Sequence, residues 1–143
     1  SEKYEYKLSW LKSLRLFLEA EMQQHENIVV LGDFNIAPTD ADVHDPEGWG
    51  EAILCSPPER QALADLIDLG LTDVFRKFDH PEKTFSWWDY RAAGFRRNAG
   101  LRIDLILTSK SMTERCTASY VDKEPRAWER PSDHAPVIAE FEF

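Results

Sequence analysis

The sequence is poor in the features that mark several large classes of protein. Only two cysteines, Cys55 and Cys116, occur in 143 residues. That is too few for a disulfide framework, and a reducing compartment, the cytoplasm, is the expectation. No apolar run approaches the ~20 residues that cross a bilayer. The longest, Ile28-Val29-Val30-Leu31, has the length of a strand, so no membrane partner is expected. The N-terminal residues are polar and form no apolar leader core. The four histidines, His25, His44, His80 and His134, show no zinc-ligand spacing. No serine or cysteine stands in an activated-nucleophile motif, and no internal repeat or low-complexity segment is present. Basic residues are in deficit: 17 Lys and Arg face 26 Asp and Glu, for a net charge of −9. This excludes a simple basic module for nucleic acid. It leaves open a metal-dependent enzyme whose carboxylates are the working groups.

The charge is unevenly spread. Six acids and no Lys or Arg lie between Asp33 and Glu51. From Arg76 to Arg102, seven bases face three acids, so that segment is +4 within an otherwise acidic chain. Trp87, Trp88, Tyr90 and Phe95 lie among those bases. Aromatics interleaved with arginine suit a stacking surface for nucleic acid; ordinary fluctuation of surface charge is the alternative.

The length predicts one domain. Tyr4, Leu8, Leu11, Leu14, Leu18 and Met22 recur at helical spacing, with Trp10 and Phe17 widening the apolar face, which predicts an amphipathic helix of about five turns. Ile28–Leu31 reads as a strand buried on both faces. Residues 36–58, with four prolines and two glycines, read as a long irregular loop. A helix is expected from Pro58 to Gly70, and a short one over Asp73–Phe78 capped by Thr72. Strands are expected at Thr84–Tyr90, Leu101–Thr108, Cys116–Val121 and Pro136–Phe143, with a single helical turn capped by Ser109. The pattern is an α/β (α+β) layered domain with a mixed sheet and helices on one face. Two-faced burial of Ile28–Leu31 requires a further layer that the chain has few helices to supply.

Three constellations carry chemistry. In Gly32-Asp33-Phe34-Asn35 an acid and an amide two residues apart face the same way past a strand end. They suit proton transfer, a hard cation or a phosphate oxygen; an Asx turn closing the strand is the alternative. Ser132-Asp133-His134 sets a histidine beside an acid at the entrance to the last strand. Asp104 lies mid-strand between apolar neighbours, where a carboxylate is costly unless paired. His134 is its natural partner, held in one tautomer and stabilised as the cation. An acid, an amide, an acid–histidine dyad and a further acid suit metal-assisted hydrolysis of a phosphate ester by water.

Four strings then carry a resemblance: Gly32-Asp33-Phe34-Asn35-Ile36-Ala37-Pro38, Thr84-Phe85-Ser86-Trp87-Trp88-Asp89-Tyr90-Arg91, Leu101-Arg102-Ile103-Asp104-Leu105-Ile106-Leu107 and Ser132-Asp133-His134-Ala135-Pro136-Val137. In this order and spacing the chain resembles exonuclease III, the abasic-site endonuclease of the endonuclease/exonuclease/phosphatase superfamily. Asp42-Val43-His44-Asp45-Pro46 and Leu71-Thr72-Asp73-Val74-Phe75-Arg76 add to it. The resemblance covers residues 1–143 but only the C-terminal half of the family fold. It implies one half of a four-layered α/β sandwich of the DNase-I-like type, with a mostly antiparallel sheet whose free face the N-terminal half covers. Strings for the Asn, Glu and Tyr that the first half supplies are not found here, which implies an inactive isolated chain.

The resemblance implies catalytic roles for Asp33, Asn35, Asp104 and His134. It implies Asp133, with Asp33 and Asn35, as ligands for Mg²⁺ or Mn²⁺. Trp87, Trp88 and Leu101 would wall the pocket for a base-less sugar, Trp88 standing where the family usually has Phe; Arg91 and Arg97 would contact phosphates, a reading that rests more on charge than on motif. The implied substrate is duplex DNA with abasic sites or 3′ ends, in base excision repair. Two alternatives stay open. One is a phosphatase of a small phosphate ester. The other is a non-catalytic half-domain that self-associates over its sheet face or binds DNA.

Overall fold

The computed structural model describes residues 1–143. Helix α1 spans Glu2–Gln24, opened by Ser1, whose hydroxyl accepts the Tyr4 N–H. Its Leu11 and Leu18 enter the main core with Leu63 and Leu66 of helix α3 (Pro57–Ile67). A one-turn helix α2 (Pro46–Trp49) lies between them in sequence. Strand β1 (Val29–Asp33) pairs antiparallel with β5 (Asp104–Thr108), and β5 pairs antiparallel with the two-residue β2 (Thr72–Asp73). Leu105 and Leu107 of β5 face the two helices. Short strands β3 (Trp87–Trp88) and β4 (Gly100–Leu101) form a second ladder. Helix α4 (Lys110–Arg115) leads into β6 (Cys116–Val121), which pairs antiparallel with β7 (Val137–Phe141). The expected α/β layering and antiparallel pairing are both present, but the strands form three ladders with every pair antiparallel rather than one mixed sheet. No helix is long and apolar enough to cross a membrane.

Several local expectations are corrected. Trp10 and Phe17 do not widen the buried face of α1: both are exposed. Leu31 is 66% exposed, so the face of β1 away from the helices is left open at that end of the strand. Val29 still packs with Ile106, Val74 and Cys116, beside Val137, Ala139 and Phe141 of β7. Phe143 lies outside that strand and is exposed. Thr72 caps nothing; it joins β2, and the following 3-10 turn over Val74–Lys77 starts at Asp73, whose carboxylate takes Arg102 instead of a backbone N–H. The Ser109 hydroxyl likewise turns away from α4 and donates to the Glu26 carbonyl.

The expected strand at Leu101–Thr108 is broken at Arg102-Ile103, and the break positions the site. Arg102 N–H donates to the Asp42 carbonyl at 2.9 Å. The buried Ser86 hydroxyl accepts both Ile103 N–H and Asp104 N–H at 3.1 Å. These bonds replace ladder bonds that a continuous strand would make. Below the break, the long loop is not loose. Ile36, Ala37, Asp42, Val43, Cys55 and Ser56 are buried. Asp42 anchors it, bonded by the guanidinium groups of Arg102 (2.7 Å) and Arg76. Burial alone would raise the Asp42 carboxyl; the two arginines hold it below the ordinary carboxylate range.

Candidate active site

The β1–β5 register sets Asp33 directly opposite Asp104. Two carboxylates in a cross-strand pair repel each other, so the site needs a cation between them, and His134 stands there. Its segment is held as the second partner of β3, opposite β4: Ala135 N–H donates to the Ser86 carbonyl at 2.8 Å, and Trp88 N–H donates to the Asp133 carbonyl at 3.1 Å. His134 Nδ1 lies 2.8 Å from Asp104 Oδ2, and its Nε2 lies 3.6 Å from Asp33 Oδ2. With Nδ1–H donated to Asp104, Nε2 is turned toward Asp33 and open solvent. Partial burial disfavours the imidazolium. The Asp104 hydrogen bond and the charges of Asp104, Asp33 and Asp133 outweigh it, so the His134 pKa lies above the ordinary histidine value.

Asp33 and Asn35 emerge on the same side because Phe34 between them is buried in the core. Asn35 adopts the left-handed conformation (φ 53°) and donates its N–H to Asp33 Oδ1 at 2.9 Å, a turn that asparagine tolerates at little cost. The Asx-turn reading of this tetrapeptide holds, and the turn aims the Asp33 carboxylate. The turn is braced from α1. Lys7 Nζ donates to the Asn35 carbonyl and to the buried Glu59 carboxylate. Glu59 also closes the cap of α3, accepting the Ser56 N–H at 3.1 Å and the Ser56 hydroxyl at 2.7 Å.

Asp33, Asp104 and His134 bring one ligand atom each within 4.8 Å of one another. Asp133 sits to one side, 3.9 Å from His134 Nε2, and accepts the Trp87 indole N–H at 3.1 Å. A cleft of about 230 Å³ opens beside the three, walled by Leu31, Ile106 and Val137.

The expected substrate residues divide. Trp87 is half-buried beside Asp133, whereas Trp88 and Leu101 are both 0% exposed and present no surface to a ligand. Trp88 is a core residue because its indole packs against Phe95 and its N–H has an internal acceptor, Asn98. Arg91 is exposed, but its guanidinium clasps Asp89 through three hydrogen bonds, holding that carboxyl down to about 2. Arg97 is exposed. Two supports went unread in the sequence. Glu59 has a local signal, the Ser56-x-x-Glu59 spacing of a capping box; Lys7 has none. The Arg102–Asp42–Asp73 cluster joins residues 60 and 29 positions apart and likewise leaves no local trace.

Residues 1–134 match the family described as Endonuclease/Exonuclease/phosphatase family. The chain is 41% identical to exodeoxyribonuclease III of Haemophilus influenzae, over 97% of its own length and 55% of that protein's. It superposes with a TM-score of 0.97, at 51% identity, on the 3′ phosphatase NExo from Neisseria bound to product DNA hairpin, covering 100% of this chain and 56% of that one. An AP endonuclease from Archaeoglobus fulgidus superposes with a TM-score of 0.93 at 39% identity and the same coverage. The chain spans about half the length of these relatives.

Proposed function

The chain belongs to the endonuclease/exonuclease/phosphatase family, and from that premise we propose that it is the C-terminal half of a divalent-metal-dependent DNA repair nuclease. Its substrates are phosphate esters at 3′ ends and abasic sites of duplex DNA. The observation that carries this reading is the Asp33–His134–Asp104 line across the β1–β5 ladder. Asp104 fixes the imidazole tautomer and stabilises the cation, so His134 offers a positive Nε2–H to a phosphate oxygen. Asp33, aimed by its turn, handles the proton of the attacking water or the leaving oxygen. Asn35 orients the phosphate through its side-chain amide.

The donor set fits a hard cation: Asp33, Asp133 and Asn35 offer oxygen, as Mg²⁺ or Mn²⁺ requires. Bound there, the ion supplies charge neutralisation at the phosphate. The chain by itself gathers Asp33 with Asp104 and His134 and leaves Asp133 to one side. We therefore infer that the remaining ligands come from a further half, whose sheet covers Leu31 and Val137. The buried free thiols of Cys55 and Cys116 suit the reducing cytoplasm.

The test is a panel of three Mg²⁺-containing reactions on duplexes carrying a 3′ phosphate, a recessed 3′ hydroxyl or an internal abasic site. The chain alone is expected to turn over none of them. Joined behind the first half of a full-length relative, it is expected to act on them, with Asp33→Ala abolishing activity. Robust incision by the chain alone overturns the inferred missing half. A joined protein that hydrolyses only small phosphate esters overturns the DNA substrate.

A further inference from the structure

The connection between β3 and β4, residues 89–99, carries three arginines and is built against its own backbone preferences. Ala92 (φ 55°), Ala93 (φ 54°) and Asn98 (φ 54°) are all left-handed, and for alanine that conformation persists only where the surroundings over-determine it. The surroundings converge on Trp88. Its indole N–H donates to Asn98 Oδ1 at 2.9 Å, and Asn98 Nδ2 donates onward to the Lys83 carbonyl at 3.0 Å. Phe95 meets the indole edge-on at 5.0 Å. Arg126 lies over both Phe95 and Tyr90 and donates to the Trp88 carbonyl. The fit leaves no slack: a Cβ on Gly100 would lie 2.6 Å from the indole Cδ1, and one on Gly94 would lie 2.4 Å from the Asp89 carbonyl oxygen.

Of the loop's arginines, Arg91 is engaged with Asp89, while Arg96 and Arg97 are exposed and appear in no ion pair. The strand that launches the loop is bonded to Asp133 through the Trp88 N–H and the Trp87 indole. We propose that Trp88 is a positioning residue whose N–H clamp on Asn98 holds this loop in one conformation, with Arg96 and Arg97 set in advance against DNA backbone phosphates beside the site. The phosphate half of this inference rests on the nucleic-acid substrate proposed above; the clamp does not. A loop ordered before binding loses less conformational freedom when the DNA arrives.

Trp88→Phe keeps an aromatic ring against Phe95 while removing the donor together with part of the indole ring system. Trypsin cleaves after Arg96 and Arg97, so mass-resolved limited proteolysis of the chain reads the clamp directly. Trp88→Phe is expected to speed cleavage at these two sites about tenfold; Asn98→Gly, which tolerates the left-handed backbone but also frees the Lys83 carbonyl, at least as much, and the double variant no further than Asn98→Gly alone. Cleavage after Arg60 and Arg115 should stay unchanged. Unchanged cleavage at Arg96 and Arg97 overturns the clamp. Equal acceleration at every site assigns Trp88 a merely structural role and also overturns it. For the phosphate half, binding of a recessed-end duplex is followed against salt without metal. Arg96→Gln/Arg97→Gln is expected to reduce the slope of log affinity against log salt by about 2. An unchanged slope, or no binding by the unaltered chain even at low salt, overturns the phosphate contacts, while the protease result reports on the clamp alone.

Discussion

Replacing Arg102 by methionine tests the cluster that breaks the strand at Arg102-Ile103 and so presents Asp104. The guanidinium is 1% exposed. It donates to Asp42 at 2.7 Å and, as a fork, to Asp73 at 3.1 and 2.5 Å, and it lies 4.5 Å over the Phe75 ring. Removing one partner from a buried charged cluster costs ~3–5 kcal/mol, because the other charge is stranded. Two features pull toward the lower end: Asp42 keeps the Arg76 bond, and Asp73 retains some access to water. Arg102→Met should therefore lose about 3 kcal/mol in urea unfolding with an unchanged denaturant slope. For a domain of this size that lowers Tm by roughly 10 °C. The triple variant Asp42→Asn/Asp73→Asn/Arg102→Met strands no buried charge, since Arg76, which loses Asp42, is 44% exposed, and it should recover most of the loss. A single variant that loses less than about 1 kcal/mol, or a triple variant no better than the single, refutes the stranded-charge reasoning.

Three further outcomes follow from named contacts. The His134 pKa is raised by folding, so the folded state binds more protons between the unfolded and folded values. The stability from this group is complete below about pH 6.5 and is lost as pH rises through the folded pKa. The Tm advantage of the native chain over His134→Gln should accordingly shrink from pH 6 to pH 9, and an advantage that grows refutes the assignment. Lys7→Met strands the fully buried Glu59 carboxylate and frees the Asn35 carbonyl, with an expected loss of about 3 kcal/mol and faster amide exchange at Asn35; exchange at the native rate argues against the brace. Leu31→Asp alters a residue that this chain leaves exposed. It should shift the chain's own stability by no more than about 0.5 kcal/mol, yet strongly destabilise a protein in which a second half covers that face; equal, small effects in both count against the proposed covering.

The periodicity of Leu11, Leu14, Leu18 and Met22, the β-branched run at Val29-Val30 and the punctuation by Pro58 and Gly70 made α1, β1 and α3 legible, because amphipathic spacing and chain breakers act over a few residues. The pairing of Asp104 with His134 was also legible, since an acid inside an apolar strand demands a cation. Other features depend on groups far apart in sequence. The Arg102 bonds end the strand early. Asp73 becomes a guanidinium acceptor in place of a helix cap, and Trp88 becomes a clamp in place of a pocket wall. Each is a choice between two partners for one polar group, and local sequence names only one of them. The sequence by itself determined which residue types meet at the strand ends, and hence the chemistry. Only the tertiary structure decided their alignment, because the β1–β5 register and the Ser86 bonds at the break bring Asp33, Asp104 and His134 onto one line.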